Sequence, residues 1–159
     1  MKELVETAND NTIEYVTATI GDQLFGLPIS RVQDVFSPDR LTQVPLSGAE
    51  IAGVLNLRGR IVTAIEMRCR LGLPPATEAR VRMAIGIEHK GESYGLLIDA
   101  IGEVLKLPVN GRGDNPVNLD PRLASVSAGV YRLEGRLLVV LDVDRVLDVG
   151  AHVAAALAA

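Results

Sequence analysis

The sequence has 159 residues, of which 48% are hydrophobic, and a formal net charge of −4. This supplies enough apolar material for one packed domain, or for two small units that share a core. The acidic balance, with three Tyr, two Phe and no Trp, argues against a nucleic-acid partner, because such partners require a basic face or a platform of aromatic rings.

The cellular setting can also be predicted. No apolar run reaches the ~18 residues that a membrane-spanning helix requires. Residues 1–11 are polar, have none of the apolar character of a secretory signal and are expected to be disordered. The single cysteine, Cys69, excludes an internal disulfide and suits a reducing compartment. We therefore expect a cytoplasmic protein with no direct membrane insertion.

The first half of the chain predicts two β-hairpins. Residues 15–20 and 24–28 are rich in β-forming side chains and flank a glycine-containing turn. Residues 51–57 and 61–67 form a second such pair around Arg58-Gly59-Arg60, in which glycine supplies the positive φ that a hairpin turn needs.

The segment between these hairpins, residues 30–36, is less regular. Val32, Val35 and Phe36 stand at i, i+3 and i+4, and Ser30 is suited to be a helix N-cap. We interpret this segment as a short helical or extended connector.

The second half begins with another hairpin, residues 81–88 and 92–98, around a turn that contains Gly91. Residues 106–122 concentrate Pro, Gly, Asn and Asp and predict a long loop. The alanine-rich tail, residues 150–159, has strong helix propensity.

The chain repeats itself. Residues 26–36 match residues 95–105 at an offset of 69, and residues 59–71 match residues 135–147 at an offset of 76. This order indicates a duplicated unit, with repeats at 13–73 and 81–149 inside one domain spanning 12–149. Short strands with glycine turns avoid exposed edges by curling into barrels, so the fold class is all-β, with two small barrels packed together.

The repeat pairs two carboxylates, Glu66 and Asp142, and this invites a comparison with hydrolases that use two acids. The alternative is that each carboxylate ends its hairpin and pairs with a neighbouring arginine, Arg68 or Arg145. A catalytic cleft would also need aromatic lining, so the sequence favours a protein that is not an enzyme.

The other potentially reactive groups give little indication of catalysis or metal binding. Cys69 lies between two arginines, which could lower its pKa and make it a nucleophile, although a merely structural thiol is favoured. His89 and His152 have no metal-binding spacing and are interpreted as solvated side chains. The sequence contains no phosphate-binding loop. We expect neither a cofactor nor a metal.

A small duplicated β protein without catalytic groups most often functions by binding partners through its surface. Two stretches combine apolar and charged side chains as protein-binding surfaces do. One is residues 29–34, ISRVQD, and the other is the turn at residues 56–60, NLRGR.

These residues resemble a known family, the bacterial chemotaxis coupling protein CheW. The stretch IAGVLNLRGRIVTAIEMRCRLGL resembles the family's hallmark of an apolar strand, Asn-Leu-Arg-Gly and a second strand. LFGLPISRVQDVF, YGLLIDAIGEVLKLP and GVYRLEGRLLVVLDVDRVL resemble three further parts, so that the likeness covers residues 13–149. The resemblance implies two SH3-like five-stranded β-barrels joined through a shared hydrophobic core, with short helices and a C-terminal helix.

The resemblance also implies partners and residues. Family members couple methyl-accepting chemotaxis receptors to the regulatory domain of the histidine kinase CheA, and CheW–CheW or CheW–CheA contacts close rings in receptor arrays. The implied kinase-binding residues are Ile29, Val32 and Asp34. The implied receptor-coupling residues are Asn56, Leu57, Arg58 and Gly59.

Two alternatives stay open at this point. One is a CheW-like coupling protein of a non-flagellar chemosensory pathway, and the other is the small β-barrel hydrolase that would use Glu66 and Asp142. The two arginines of the turn also differ, because Arg60 has a repeat counterpart in Arg136, whereas Glu134 stands at the position equivalent to Arg58. This asymmetry favours a partner-facing role for Arg58.

Overall fold

The computed structural model describes residues 11–39, 41–43, 48, 50–75 and 82–147. Of the segment predicted to be disordered, residues 1–11, all but Asn11 lies outside the described part of the chain, and Asn11 accepts a backbone hydrogen bond of 2.7 Å from Val109. The helix predicted for residues 150–159 also lies outside it. Within that part, every long secondary-structure element is a β-strand, and the helices are single turns.

The strands are bounded as follows: β1 Thr12–Ile20, β2 Gln23–Pro28, β3 Val32–Phe36, β4 Ile51–Leu57, β5 Arg60–Glu66, β6 Met83–His89, β7 Glu92–Ile98, β8 Ala100–Pro108, β9 Ser127–Leu133 and β10 Arg136–Leu141. The helices are α1 Met67–Arg70, α2 Pro121–Ala124 and α3 Val143–Val146. Two 3₁₀ turns lie at Ile29–Arg31 and Val109–Gly111.

The strands form two five-stranded sheets. The central barrel has the order β3-β6-β7-β5-β4, and the terminal barrel has the order β8-β1-β2-β10-β9. An antiparallel bridge closes each one, between Thr42 and Val54 in the central barrel and between Gly113 and Val130 in the terminal barrel. The prediction of an all-β fold with two five-stranded barrels is therefore confirmed.

The repeat maps onto the elements. Adding 76 to the bounds of β4 and α1 gives the bounds of β9 and α3. Adding 69 to the bounds of β2 gives a range that lies within β7. Each repeat supplies two strands to one barrel and three to the other, because β1 and β2 join β8–β10 while β6 and β7 join β3–β5. Neither repeat can complete a barrel alone.

Three clusters of buried side chains hold the fold together. Each barrel has a small interior cluster, in which Tyr15 and Tyr131 fill the terminal barrel and Leu55 and Val62 fill the central one. The largest cluster lies between the barrels and includes Phe25. Strands of both sheets are thus covered on two faces, which explains their continuous apolar runs.

Two segments differ from the sequence-based interpretation. The connector at residues 30–36 is one 3₁₀ turn followed by strand β3, because β3 pairs with β6 and this tertiary ladder outweighs the helical spacing of its apolar residues. The predicted loop at 106–122 begins later, because Lys106 pairs with Glu14 and β8 continues to Pro108.

Candidate protein-binding surface

Strand β3 presents apolar side chains to solvent at the edge of the central sheet. Ile29, in the 3₁₀ turn that precedes the strand, is 42% exposed, and Val35 is 40% exposed. Gln33 also faces outward and donates a hydrogen bond to Glu88 of β6. Alternation along the strand therefore places Gln33 and Val35 on the solvent face.

The alternate residues of β3 face inward. Val32 is partly buried and packs against the core between the barrels. Asp34 is partly buried, and its Oδ2 lies 3.5 Å from Nη2 of Arg60. Among the three residues proposed for kinase binding, Ile29 is freely accessible, whereas Val32 and Asp34 support the strand from within.

The β4–β5 hairpin turns tightly at Arg58 and Gly59. Leu57 pairs with Arg60 across the hairpin, which leaves two loop residues with φ values of 55° and 83°. Asn56 Oδ1 accepts a hydrogen bond of 2.8 Å from the backbone N–H of Gly59. Leu57 packs against the interior of the central barrel, so Asn56 and Leu57 build the turn.

Arg58 has a different environment from these supporting residues. Its side chain is exposed and makes no hydrogen bond or salt bridge to the residues that the structure describes. Its backbone is in the left-handed conformation, which costs a residue with a Cβ about 1–2 kcal/mol. The strained backbone and the solvent-exposed charge are consistent with a side chain retained for a partner.

We predict that Arg58→Asn raises the free energy of unfolding by up to about 1 kcal/mol, because asparagine tolerates the left-handed conformation better. If Arg58 couples a receptor, as the resemblance implies, the same substitution should also weaken that binding, because the charge is lost. Denaturant unfolding and a receptor-fragment binding assay measure the two effects.

The matched control is Lys90→Asn in the β6–β7 turn, where Lys90 has a φ of 52°. It should give the same gain in stability with receptor binding unchanged. Equal losses of binding in both variants would contradict a specific role for Arg58.

Two residues of this surface were missed by sequence reasoning, and a third was placed in the wrong element. Val35 was assigned to a helical spacing, although period-two alternation with Gln33 would have placed it outward. Ile61, at the start of β5, is 61% exposed and lies beside the predicted turn. Arg60 belongs to the candidate stretch 56–60, but it is the first residue of β5 and contacts Asp34 instead of lying in the turn.

The paired carboxylates Glu66 and Asp142 have structural roles in different barrels. Glu66 accepts a hydrogen bond from the backbone of Arg68 at the start of α1, and Asp142 does the same for Arg145 at the start of α3. The Glu66 side chain also binds Arg82 in a bidentate ion pair, with contacts of 2.5 and 2.8 Å. Helix capping and ion pairing account for both acids.

The environment of Cys69 and of His89 gives neither side chain a catalytic or metal-binding role. Burial raises the pKa of the Cys69 thiol, with further contributions from Glu50 and Glu66, so the activated nucleophile is not formed. The prediction of a solvated His89 is wrong, because its side chain is 11% exposed and its Nδ1 lies 3.2 Å from Asp144. His152 lies outside the described residues. In the described ranges no three His, Cys, Asp or Glu side chains cluster as metal ligands do.

The fold and surface together define a class of protein. The two fused barrels present exposed apolar and charged side chains at their surface, while Glu66 and Asp142 cap helices. No helix in the described part of the chain is long and apolar enough to span a bilayer. These properties are those of a small scaffold protein that binds other proteins.

Comparison with known proteins identifies the family. The family model for the CheW-like domain matches residues 14–150, so the chain belongs to the CheW-like domain family. Chemotaxis protein CheW of Thermotoga maritima is 26% identical over 148 residues, which cover 93% of this chain and 95% of that protein. Protein PilI of Pseudomonas aeruginosa is 27% identical, with 76% of this chain and 67% of that protein covered.

A solved structure agrees with the sequence relatives. The crystal structure of the scaffolding protein TtCheW from Thermoanaerobacter tengcongensis matches with a TM-score of 0.73 and 25% identity, over 81% of this chain and 83% of that chain. Family members are non-catalytic scaffold proteins of chemotaxis. The hydrolase hypothesis for Glu66 and Asp142 is therefore wrong, and its physical correction is the capping role of both acids.

Proposed function

We propose that this chain is a cytoplasmic adaptor that couples methyl-accepting chemotaxis receptors to the histidine kinase CheA. The kinase regulatory domain would bind at the surface of β3 and the preceding 3₁₀ turn. The receptor's cytoplasmic tip would bind at the region of the β4–β5 turn, and contacts with further CheW or CheA molecules would close rings in receptor arrays.

The observation that carries this proposal is the exposed apolar surface of the central barrel. Ile29, Val35 and Ile61 are 42%, 40% and 61% exposed. Exposure of such apolar side chains to water is unfavourable, and their burial under a partner lowers the free energy of the complex. Arg58 and Arg60 supply the charged rim that orients such a contact.

The proposed residues take unequal parts in binding. Ile29 would contact the kinase domain directly, whereas Val32 and Asp34 would hold β3 in place from below. In the receptor-coupling region, Asn56, Leu57 and Gly59 shape the turn, and Arg58 would supply the charge. Holding both partners on one support keeps the receptor tip and the kinase domain close together, so that a change in the receptor can reach the kinase.

The decisive test uses Val35→Glu, because Val35 is accessible and its replacement does not open the core. Titration calorimetry with the CheA regulatory domain of the same organism should show a one-to-one complex with the unmodified protein. Val35→Glu should weaken it at least about thirtyfold, the equivalent of roughly 2 kcal/mol for a central interface residue. Its free energy of unfolding should stay within about 1 kcal/mol of the parent.

The control is Val104→Glu. Val104 stands 69 residues after Val35, occupies the equivalent place on β8 of the terminal barrel and is 49% exposed. It should leave the affinity for the regulatory domain unchanged. No binding by the unmodified protein would reject CheA as the partner, and a loss confined to Val104→Glu would move the kinase-binding surface to the terminal barrel. Binding to the kinase of a non-flagellar pathway alone would favour the other coupling function.

A further inference from the structure

The terminal barrel has an open cleft that leads into its interior. The cleft has a volume of about 430 Å³ and lies between the end of β8, at Leu107 and Pro108, and the end of β9, at Arg132 and Leu133. Leu107 and Leu133 pack against the apolar cluster that fills this barrel, and Tyr131 of the same cluster lines the cleft. The apolar interior therefore reaches solvent here, which favours an occupant that covers it.

The central barrel covers its interior with the segment that follows β3. One residue before the bridge to Val54, Leu41 packs against the interior cluster of the central barrel. One residue before the bridge to Val130, the terminal barrel has Arg112, which is exposed. The duplicated fold thus places an apolar side chain at this position in one barrel and a charged one in the other.

The edge of β9 is unpaired beside the cleft. Val130 and Gly113 exchange two backbone hydrogen bonds, of 3.0 and 2.8 Å. Because the bonding direction alternates along a strand, Arg132 points its N–H and C=O to the same edge. Gly111 has already left that edge for a 3₁₀ turn, so no strand in the described ranges extends the ladder past the bridge. An extended segment can pair with such an edge.

The described part of the chain begins next to this cleft. The carbonyl of Asn11 accepts a hydrogen bond of 2.7 Å from the N–H of Val109, and Thr12 pairs with Pro108, which lines the cleft. The ten residues that precede this point read MKELVETAND. An extended chain spans about 3.3 Å per residue, so the apolar pair Leu4-Val5 can reach the cleft from Asn11.

We propose that residues 1–10 dock intramolecularly on the terminal barrel, with Leu4 in the cleft and the backbone beside it paired with the edge of β9. Because the segment is tethered at Asn11, its effective concentration at the cleft is high. One apolar anchor is then sufficient, where a free peptide of the same length would bind weakly. The segment thereby does for the terminal barrel what Leu41 does for the central one, and docking requires neither of the two proposed partners.

The charges at the rim of the cleft match those of the segment. Arg132 and Asp114 are the charged residues among the described lining of the cleft. The segment carries both signs around its apolar anchor, with Lys2 before Leu4 and Glu6 after it. Each rim charge therefore has an opposite charge within reach, and such complementarity favours this occupant over an uncharged one.

The experiment places a fluorescent reporter in the segment. The chain has no Trp, so Leu4→Trp in the whole protein gives an emission that reports this position alone. The emission should be shifted to the blue and shielded from acrylamide relative to Thr7→Trp, the matched control in the same segment. The difference should disappear when Gly111→Leu is added. That substitution fills the cleft, because its Cβ would lie 3.1 Å from Cγ of Pro108 and 3.6 Å from Cε1 of Tyr131.

Thermal unfolding provides a second measurement without a reporter. Leu4→Asp combined with Val5→Asp should lower the melting temperature by about 3–6 °C, the effect of exposing one leucine-sized side chain in a domain of this size. Thr7→Asp combined with Ala8→Asp adds the same charge to the same segment and should melt with the parent. Should Gly111→Leu fail to fold, these aspartate variants decide alone.

The outcomes decide whether the segment is the occupant. Equal emission from Leu4→Trp and Thr7→Trp, with the parental melting temperature in both aspartate variants, would overturn the inference. A blue shift that grows with protein concentration and accompanies dimers in sedimentation would show exchange between two copies and would also reject the intramolecular form. A blue shift that persists in folded Gly111→Leu would place Leu4 elsewhere on the protein. None of these measurements involves the kinase domain or a receptor, so the proposed function is tested separately.

Discussion

Replacing Asp99 with alanine is expected to lower the free energy of unfolding by about 2 kcal/mol, because its partly buried ion pair lies between an exposed pair and a fully buried one in cost. Asp99 lies where the chain crosses from β7 to β8 and so passes from the central barrel to the terminal one. Its side chain is 11% exposed and accepts contacts of 3.1 and 2.7 Å from the Arg68 guanidinium. Its removal would leave that charge without its carboxylate partner.

The Asp99 carboxylate also ties the two barrels together. Its Oδ2 accepts a hydrogen bond of 2.8 Å from the backbone N–H of Gly21, in the β1–β2 turn of the terminal barrel. Arg68 is the second residue of α1, the helix that follows β5 of the central barrel. Asp99→Ala therefore loses a contact on each side of the crossover, and the expected cost exceeds that of a surface ion pair.

The same contacts predict a dependence on pH. Burial by itself would raise the pKa of Asp99, but hydrogen bonds from Arg68 and Gly21 and the charges of Arg68 and Arg82 outweigh it and lower the pKa below the usual value. A depressed pKa contributes stability that is present above the unfolded value of about 3.9 and is lost as the pH falls through the folded value. Urea unfolding at pH 7 and pH 3 should show the gap between parent and Asp99→Ala narrowing at the lower pH.

The fold contains a matched control at its other crossover. Arg31, between β2 and β3, pairs with Asp144 at 3.5 Å, and the two side chains are 35% and 66% exposed. Asp144 is the repeat counterpart of Arg68, whereas the counterpart of Asp99 is Ser30, so this second crossover has an exposed ion pair one residue away from the equivalent position. Arg31→Ala should cost less than about 1 kcal/mol. An equal cost for both substitutions would contradict the explanation by burial.

Local features of the sequence were sufficient to predict the hairpins. Strands β4 and β7 begin and end at the predicted residues, 51–57 and 92–98, because β-branched runs and glycine turns are short-range signals. The two barrels followed from the duplication. The exposed site was predicted as two stretches, and the structure places both in the central barrel.

The exchange of strands between barrels could not be predicted in the same way. Strand β5 pairs in parallel with β7, and β10 pairs in parallel with β2. Because β2 and β7 are repeat counterparts, the local sequence gives β5 two equivalent partners, and long-range packing between the barrels decides. The inward turn of Asp34 also depends on Gly86, its distant partner across the β3–β6 ladder, because a Cβ there would overlap the Asp34 carboxylate.

Gly53→Ala is expected to cost more than about 3 kcal/mol, because two penalties combine at this position. Gly53 has a φ of +150°, which side chains rarely adopt, and an added Cβ would lie 2.5 Å from the backbone carbonyl oxygen of Thr42. That oxygen accepts a hydrogen bond of 2.8 Å from Val54, and Thr42 donates one of 2.8 Å in return. The substitution therefore disrupts the Thr42–Val54 bridge that closes the central barrel.

Gly129 provides the comparison, since it stands 76 residues later at the closure of the terminal barrel. Its φ is +133°, and the nearest atom to an added Cβ is Cγ of the Arg112 side chain at 2.8 Å. A flexible side chain can move where a backbone carbonyl cannot, although the Gly113 carbonyl is also close at 3.0 Å. Gly129→Ala should therefore show mainly the conformational cost of about 1–3 kcal/mol.

The two glycine variants also separate stability from binding. Residues 41–43 follow β3 and bridge to the strand that leads into the Asn56–Gly59 turn, so the closure that Gly53 permits positions both parts of the proposed partner surface. Gly53→Ala should lose affinity for the kinase domain even at a temperature where circular dichroism shows it folded. Gly129→Ala should retain that affinity, because the terminal barrel closes independently of the surface. A larger loss of stability in Gly129→Ala, or parental kinase binding by folded Gly53→Ala, would reject this account of the central barrel.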